Sequence, residues 1–288
     1  MMPGRAQTPD FPSRVIAGFD AAAPGYDTHG VTFFTAIAGR LIELARIRPG
    51  DRVLDAGCGA GAALIAASRA TGTGGQVTGI DLSAAMLQRA AATCAALRPG
   101  NVALVRADAA QPPYAAGSFD VVVASMVVFL LPDPARAARS WLGLLRPGGM
   151  LAFSWNAAED PRWAPVIAAV DAYLPEGEGF ANLLHHPPFA SGTTVAAMLA
   201  AAGYTDITTI AADAEARYTG PHHWWAASWS QAPRIAWQNI APNRQPNARD
   251  DVFRLLESVR NSDGSLTRRS LIGYTTARRP ASGRDTPA

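Results

Sequence analysis

Three aspartates follow one another through the first half of the chain, each at the end of a short apolar run. Asp55 lies in 53–61 (VLDAGCGAG), two residues before Gly57 and ahead of Gly59 and Gly61. Asp81 lies in GIDLS and Asp108 in RADAA. A carboxylate at the tip of a second strand can accept both hydroxyls of a ribose. One past a third strand can accept the amino group of an adenine, and Asp55 can face a cationic, amine-bearing tail. Glycines let the intervening backbone turn tightly and approach a ligand closely. Together these groups fit an adenosine joined to an amino acid, with no pyrophosphate to cradle. Each Asp is also a natural helix cap or turn former. The loop alone is ambiguous, because Gly57, Gly59 and Ala62 also satisfy the dinucleotide pattern G-x-G-x-x-G/A. A nicotinamide-dependent oxidoreductase would use that pattern but leaves Asp108 and the RPGG segment at 146–149 unexplained.

Periodicity supplies the elements that would hold these residues. Strands are expected at 52–56, 76–80, 101–106, 119–124 and 150–156, and the fourth is apolar on both faces, as a buried parallel strand should be. Helices are expected at 62–70, from a Ser83 cap to about residue 96, and at 134–145 with Pro134 in the first turn. Strands alternating with helices imply right-handed βαβ units and a parallel sheet covered on both faces. Farther on, a helix at 191–202, strands at 206–214 and 270–277, a Trp-rich helical insert over 221–239 and a helix over 248–260 are expected.

The 288 residues are 49% hydrophobic and 17% charged, which suits a large core and excludes wholesale disorder. Net charge is +2 without a block of like charges, so neither nucleic acid nor an anionic membrane surface is an expected partner. No apolar run approaches the roughly 20 residues of a spanning helix, and the first residues lack the apolar core of a signal peptide. Only Cys58 and Cys94 occur, which argues for a reducing, cytoplasmic setting. All 25 basic residues are Arg, which removes lysine Schiff-base and phosphate-lysine chemistry.

In order and spacing, VLDAGCGAG, GIDLS, RADAAQPPY, FDVVVASMVVFLLPDP and LLRPGGMLAFSW resemble the class I S-adenosylmethionine-dependent methyltransferases. The nearest branch is the small-molecule one that includes ubiquinone and menaquinone biosynthesis enzymes. The likeness is strong over 19–156 and weak elsewhere. It implies an α/β, Rossmann-like fold: a seven-stranded, mostly parallel sheet with its last strand inserted antiparallel, helices on both faces and a helical lid. It implies S-adenosyl-L-methionine as cofactor. Asp55, Gly57, Gly59 and Gly61 then match the motif at the methionine end. Asp81 matches the ribose acid, Leu82 flanks the adenine, and Asp108 with Ala109 meets its edge. Ser125 falls where the family contacts cofactor or substrate. Segment 19–30 resembles the helix that covers the cofactor, making Tyr26 a lid contact or a packed aromatic. The expected organisation is a flexible N-terminus at 1–13 and one domain at 14–278. Its core is 40–156, its lid 14–39, 157–190 and 217–262, with a flexible C-terminus at 279–288.

Of five histidines, His29 is the candidate base, because it lies beside the lid; an exposed or capping role is the alternative. The pairs His185–His186 and His222–His223 lack the i, i+4 spacing of a helical metal site, so no metal is expected. Trp225 and Trp229 share a helix face and could sandwich a flat acceptor, or pack the insert. Arg234, among the aromatics of 224–237, could hold an acidic group or be solvated. The expected function is methyl transfer to a hydroxyl or carbon of a small, mostly apolar or aromatic molecule in natural-product biosynthesis. Alternatives are a non-methylating enzyme of this fold, such as a cyclase, and a non-catalytic binding module.

Overall fold

The computed structural model of the chain describes residues 11–26, 28–175, 188–231 and 233–281. Apolar, β-branched runs form β1 (Arg52–Ala56), β2 (Gln76–Asp81), β3 (Val102–Arg106), β4 (Phe119–Ser125), β5 (Leu145–Ala158), β6 (Thr205–Tyr218) and β7 (Leu266–Arg278). They make one sheet in the order β3-β2-β1-β4-β5-β7-β6. β1 to β5 pair in parallel, and β7 runs antiparallel to both of its neighbours. The expected Rossmann-like α/β sheet, with its late antiparallel insertion, is therefore the one observed. The order changes direction beside β1, and the carboxyl ends of strands at such a switch point are where ligands sit in open α/β sheets.

Around the sheet lie α1 (Phe11–Ala22), α2 (Phe33–Ala45), α3 (Ala62–Thr71), α4 (Ala84–Leu97), α5 (Pro134–Leu144), α6 (Ala164–Asp171), α7 (Gly192–Ala201), α8 (Pro221–Trp229), α9 (Arg234–Asn239) and α10 (Gln245–Leu256). α2 and α3 bury Ile37, Leu41 and Leu64 against one face, with Val53 and Val123 of the sheet. α5 and α7 bury Trp141, Val195 and Leu199 against the other. Trp141 also fixes the region after β3, since its indole N–H donates to the Ala109 carbonyl at 2.7 Å. A separate core forms under the helical lid, where Trp163, Trp224, Trp237, Val252 and Leu256 pack together. There α1 rides so closely on α9 that a Cβ on Gly18 would stand 2.5 Å from Ile235.

Several boundaries differ from the sequence expectation, for identifiable reasons. β6 continues beyond 214, and β7 begins before 270. Charged Glu215 and Arg269 look like strand ends, yet they pair across the ladder and form an exposed ion pair at 3.2 Å. The RPGG segment does not precede β5. It loops out within that strand, between Leu145, which pairs with Phe119, and Met150, which pairs with Val121. The helical insert is two helices, broken ahead of Pro233, whose ring and missing N–H disfavour a helix interior. The cofactor-covering helix ends at Ala22, short of 30, and starts at Phe11, inside the segment expected to be flexible. Arg279 is likewise held: its guanidinium donates to the carbonyls of Leu142, Gly143 and Leu145. His185 and His186 lie outside the described residues, as does part of the expected lid segment 157–190. Among the described residues no helix is long and apolar enough to cross a membrane.

Candidate functional site

The glycine loop after β1 uses its glycines for three different tasks. Gly57 sits at φ 78°, and its N–H donates to the Ile80 carbonyl at 2.9 Å, tying the loop to β2. A Cβ there would come within 2.5 Å of Val127 Cγ2. Gly59 (φ 50°) has open space where its Cβ would be, and it faces a cavity of about 400 Å³. Gly61 (φ 97°) is not part of the cavity wall; it is the N-cap of α3, in a left-handed conformation that lets the loop enter the helix.

The aspartates converge on that cavity. Asp81 is held by main-chain donors: Gly59 N–H on one oxygen at 2.9 Å and Ser83 N–H on the other at 2.8 Å. Its pKa is pushed up by burial, which those two N–H groups partly offset. Asp108 accepts from Ala110 N–H at 2.8 Å. Asp55 differs from both. It is fully buried at the end of β1; among the described residues neither carboxylate oxygen has a partner at hydrogen-bond distance, and the nearby Leu64 N–H of α3 favours its charged form only in part. Burial first, and then the negative charge of Asp81, push its pKa from 3.8 to about 7. Cys58, between the glycines, is also buried, and burial pushes its thiol well above the usual range, so it stays a neutral filler.

Other expected cofactor contacts also meet on this wall. Leu82, Ala109, Ser125 and Tyr26 line it, and Tyr26 stacks on Phe34 with ring centres 6.0 Å apart. His29 does not line it. Its carbonyl accepts from His223 Nε2 at 2.8 Å, and the two imidazoles lie 6.3 Å apart under the lid. Trp225 and Trp229 are off the wall too; both pack on Trp237, at 4.7 and 6.3 Å between centres. Arg234 caps that cluster, with its guanidinium 5.6 Å from the Trp229 ring. The face of α8 turned to the cavity carries Trp224 and Ser228, followed by Gln231. That i, i+4, i+7 stripe was present in the sequence, hidden because only one of the three residues is aromatic.

The half of the sheet around β5 and β7 adds a polar cluster that sequence reading missed. Asn156, Glu159, Tyr218, Arg268 and Ser270 all line the cavity. Asn156 and Glu159 are three residues apart, and a regular strand would point them to opposite faces. A register shift between Asn156 and Ala158 breaks the alternation, and the strand ends at Ala158, so Glu159 is free to share the cavity side with Asn156. Arg268 and Tyr218 belong to the stretches by which β7 and β6 exceed their expected length. Glu159 accepts from Arg268 Nε at 3.0 Å, from Arg268 Nη2, from Asn156 Nδ2 at 2.8 Å and from Ser270 Oγ at 3.3 Å. Burial pushes the Tyr218 phenol up, which keeps it a proton donor at neutral pH. Among the described residues no three His, Cys, Asp or Glu side chains cluster as metal ligands would.

The sequence is similar to those of known proteins. A family described as a methyltransferase domain matches residues 53–149, from β1 to the start of the inner part of β5. Nocamycin O-methyltransferase of Saccharothrix syringae is 37% identical over 278 residues, which is 92% of this chain and 99% of that protein. Aklanonic acid methyltransferase DauC of Streptomyces sp. (strain C5) is 36% identical over 178 residues, 59% of this chain and 81% of that protein. Among solved structures, the [4+2]-cyclase SpnF superposes with a TM-score of 0.58 at 20% identity, covering 96% of this chain and 98% of its own. That last likeness is one of fold.

Proposed function

Because the chain belongs to the class I small-molecule methyltransferases, we propose that it transfers a methyl group from S-adenosyl-L-methionine to an oxygen or carbon of a small, mostly apolar natural-product intermediate. The observation that carries the cofactor assignment is the meeting of Asp55, Asp81 and Asp108 on one cavity wall, with both oxygens of Asp55 unpartnered. A buried carboxylate without a donor is costly to ionise unless a ligand supplies the partner. The ammonium group of the cofactor's amino acid is such a partner. Asp81, already oriented by Gly59 and Ser83, keeps lone pairs for two ribose hydroxyls, and Asp108 keeps its free oxygen for the adenine amine. Gly59 leaves open the space that a side chain would fill.

When bound, the cofactor supplies a methyl group made electrophilic by its sulfonium. The chain's own contribution is placement and exclusion of water. Apolar side chains including Phe33, Phe34, Met126, Leu130 and Trp224 line the space between the two polar groups. Holding two reactants in line in such a space is worth up to roughly 7–11 kcal/mol. The relatives are named for nocamycin and for aklanonic acid, which supports a natural-product acceptor. Cys58 and Cys94 are both free thiols, in keeping with a reducing cytoplasm.

The test is isothermal calorimetry with S-adenosylhomocysteine, followed by incubation with methyl-labelled cofactor and a panel of polycyclic acids and phenols that includes aklanonic acid. Label in the acceptor with equimolar S-adenosylhomocysteine is the expected result. A folded chain with no affinity for either adenosine ligand overturns the reading. Tight binding with turnover of an acceptor but no demethylated cofactor replaces it with a non-methylating role.

A further inference from the structure

The cluster on the β5–β7 side has a donor imbalance that the cofactor does not use. Four donors already converge on Glu159, two of them from Arg268, which fills most of the acceptor capacity of one carboxylate. Glu159 is therefore poorly placed to act as a base. An arginine has five N–H groups. Two of those on Arg268 point at Glu159, and the other three have no partner among the described residues. Its side chain is only 19% exposed and lies on the cavity wall, with Tyr218 beside it on the paired strand. A guanidinium fixed on one edge by a carboxylate presents its other edge as a planar fork, a shape that matches two oxygens sharing one negative charge.

Resting on the methyltransferase reading above, we propose that Arg268 is the specificity residue for the acceptor and binds a delocalised oxyanion on it, a carboxylate or an ionised enol. Glu159 is the positioning residue that fixes the guanidinium, with Asn156 and Ser270 holding Glu159 in turn. Tyr218 can donate a further hydrogen bond to the same oxygen. Most of the remaining cavity wall is apolar, so the acceptor is an otherwise greasy molecule with one acidic end. The opposite signs in the cavity also orient it: the aspartates of the β1–β3 half repel the anion that Arg268 attracts.

The experiment is calorimetry on the full chain saturated with S-adenosylhomocysteine. The probes are naphthoate and lawsone, a carboxylate and a ring enol ionised at neutral pH, each against its neutral methyl ester or methyl ether. Wild type is expected to bind at least one anion about 10- to 100-fold more tightly than its neutral counterpart, the range of a charged hydrogen-bond pair. Whether naphthoate or lawsone is preferred tells carboxylate from enol. Arg268→Gln removes the preference. Because it also leaves Glu159 without its cation, the double variant Glu159→Gln with Arg268→Gln is measured beside it, and an unchanged S-adenosylhomocysteine affinity reports that it is folded. Arg268→Lys, which keeps the charge but not the fork, retains part of the preference, and Glu159→Gln alone weakens it while the neutral probes are unmoved. Equal binding of anion and neutral probe by wild type, no saturable binding of either anion at about millimolar concentration, or a preference that survives in the double variant overturns the assignment. Failure to bind S-adenosylhomocysteine at all overturns the underlying reading instead.

Discussion

On the β1–β3 side of the cavity, Asp81 takes its hydrogen bonds from the main-chain N–H groups of Gly59 and Ser83. On the β5–β7 side, Glu159 takes its hydrogen bonds from side chains, those of Arg268, Asn156 and Ser270. The first region holds its acids without a cation: among the described residues neither Asp55 oxygen has a side-chain partner, and the Leu64 N–H offsets its burial only in part. The second carries an ion pair with donors left over. Main-chain donors come with the loops after β1 and β2, so the first region needs only glycines and the pairing of two consecutive strands. Side-chain donors must be brought from another strand, so the second exists only after β5 and β7 pair. On the proposed reading, the first suits a cationic, hydroxyl-rich ligand, and the second a group that wants donors.

The contrast can be tested from its most fragile point outward. Gly57→Ala should do the most damage. It forces a side chain into φ 78° and within 2.5 Å of Val127, and is expected to lower stability by about 3 kcal/mol and abolish S-adenosylhomocysteine binding. Adding Val127→Ala should recover the contact portion in a denaturant titration, leaving about 1 kcal/mol of backbone strain. Asp81→Ala removes the ribose acceptor and frees two loop amides, so calorimetry should find about 100-fold weaker cofactor binding and unchanged probe binding at Arg268. Unchanged cofactor affinity would end the ribose assignment.

Asp55 gives a pH signature. Its folded pKa is raised from 3.8 to about 7, so the stability it contributes is complete below the unfolded value and is lost as pH rises through about 7. A cationic ligand favours the ionised form, so binding should release a proton below that pH. S-adenosylhomocysteine affinity should then rise about tenfold between about pH 6 and about pH 8 and level off above. In Asp55→Asn the slope should vanish, and the unliganded variant should melt higher than wild type at alkaline pH. The smallest effect is expected at His29. Its ring is off the cavity wall and only its carbonyl is used, so His29→Ala should change turnover by no more than about twofold. A large loss confined to kcat would restore it as a base.

How much of this was readable in advance divides along the same line. Gly57, Gly59, Asp55, Asp81 and Asp108 were legible because strand tips, turn residues and their neighbours along the chain declare themselves within a few positions. The five parallel strands, β1 to β5, were legible from their apolar runs. Trp225 and Trp229 were singled out while Trp224 lines the cavity, because helix periodicity says which residues share a face, not which face turns to the cavity. Arg268 and Tyr218 were overlooked because the charged pair Glu215 and Arg269 looked like strand ends, when each neutralises the other across an exposed ladder.

The sequence alone determined the order of βα units, the glycine loop and the row of strand-tip acids, because each is set by interactions between near neighbours. Only the tertiary structure decided that Glu159 meets Arg268, 109 residues away. That contact needs an antiparallel strand inserted beside β5 and a register shift, followed by the end of the strand, that lets two side chains share one side. Pairing and register are collective properties of the sheet, and no local stretch of residues encodes them.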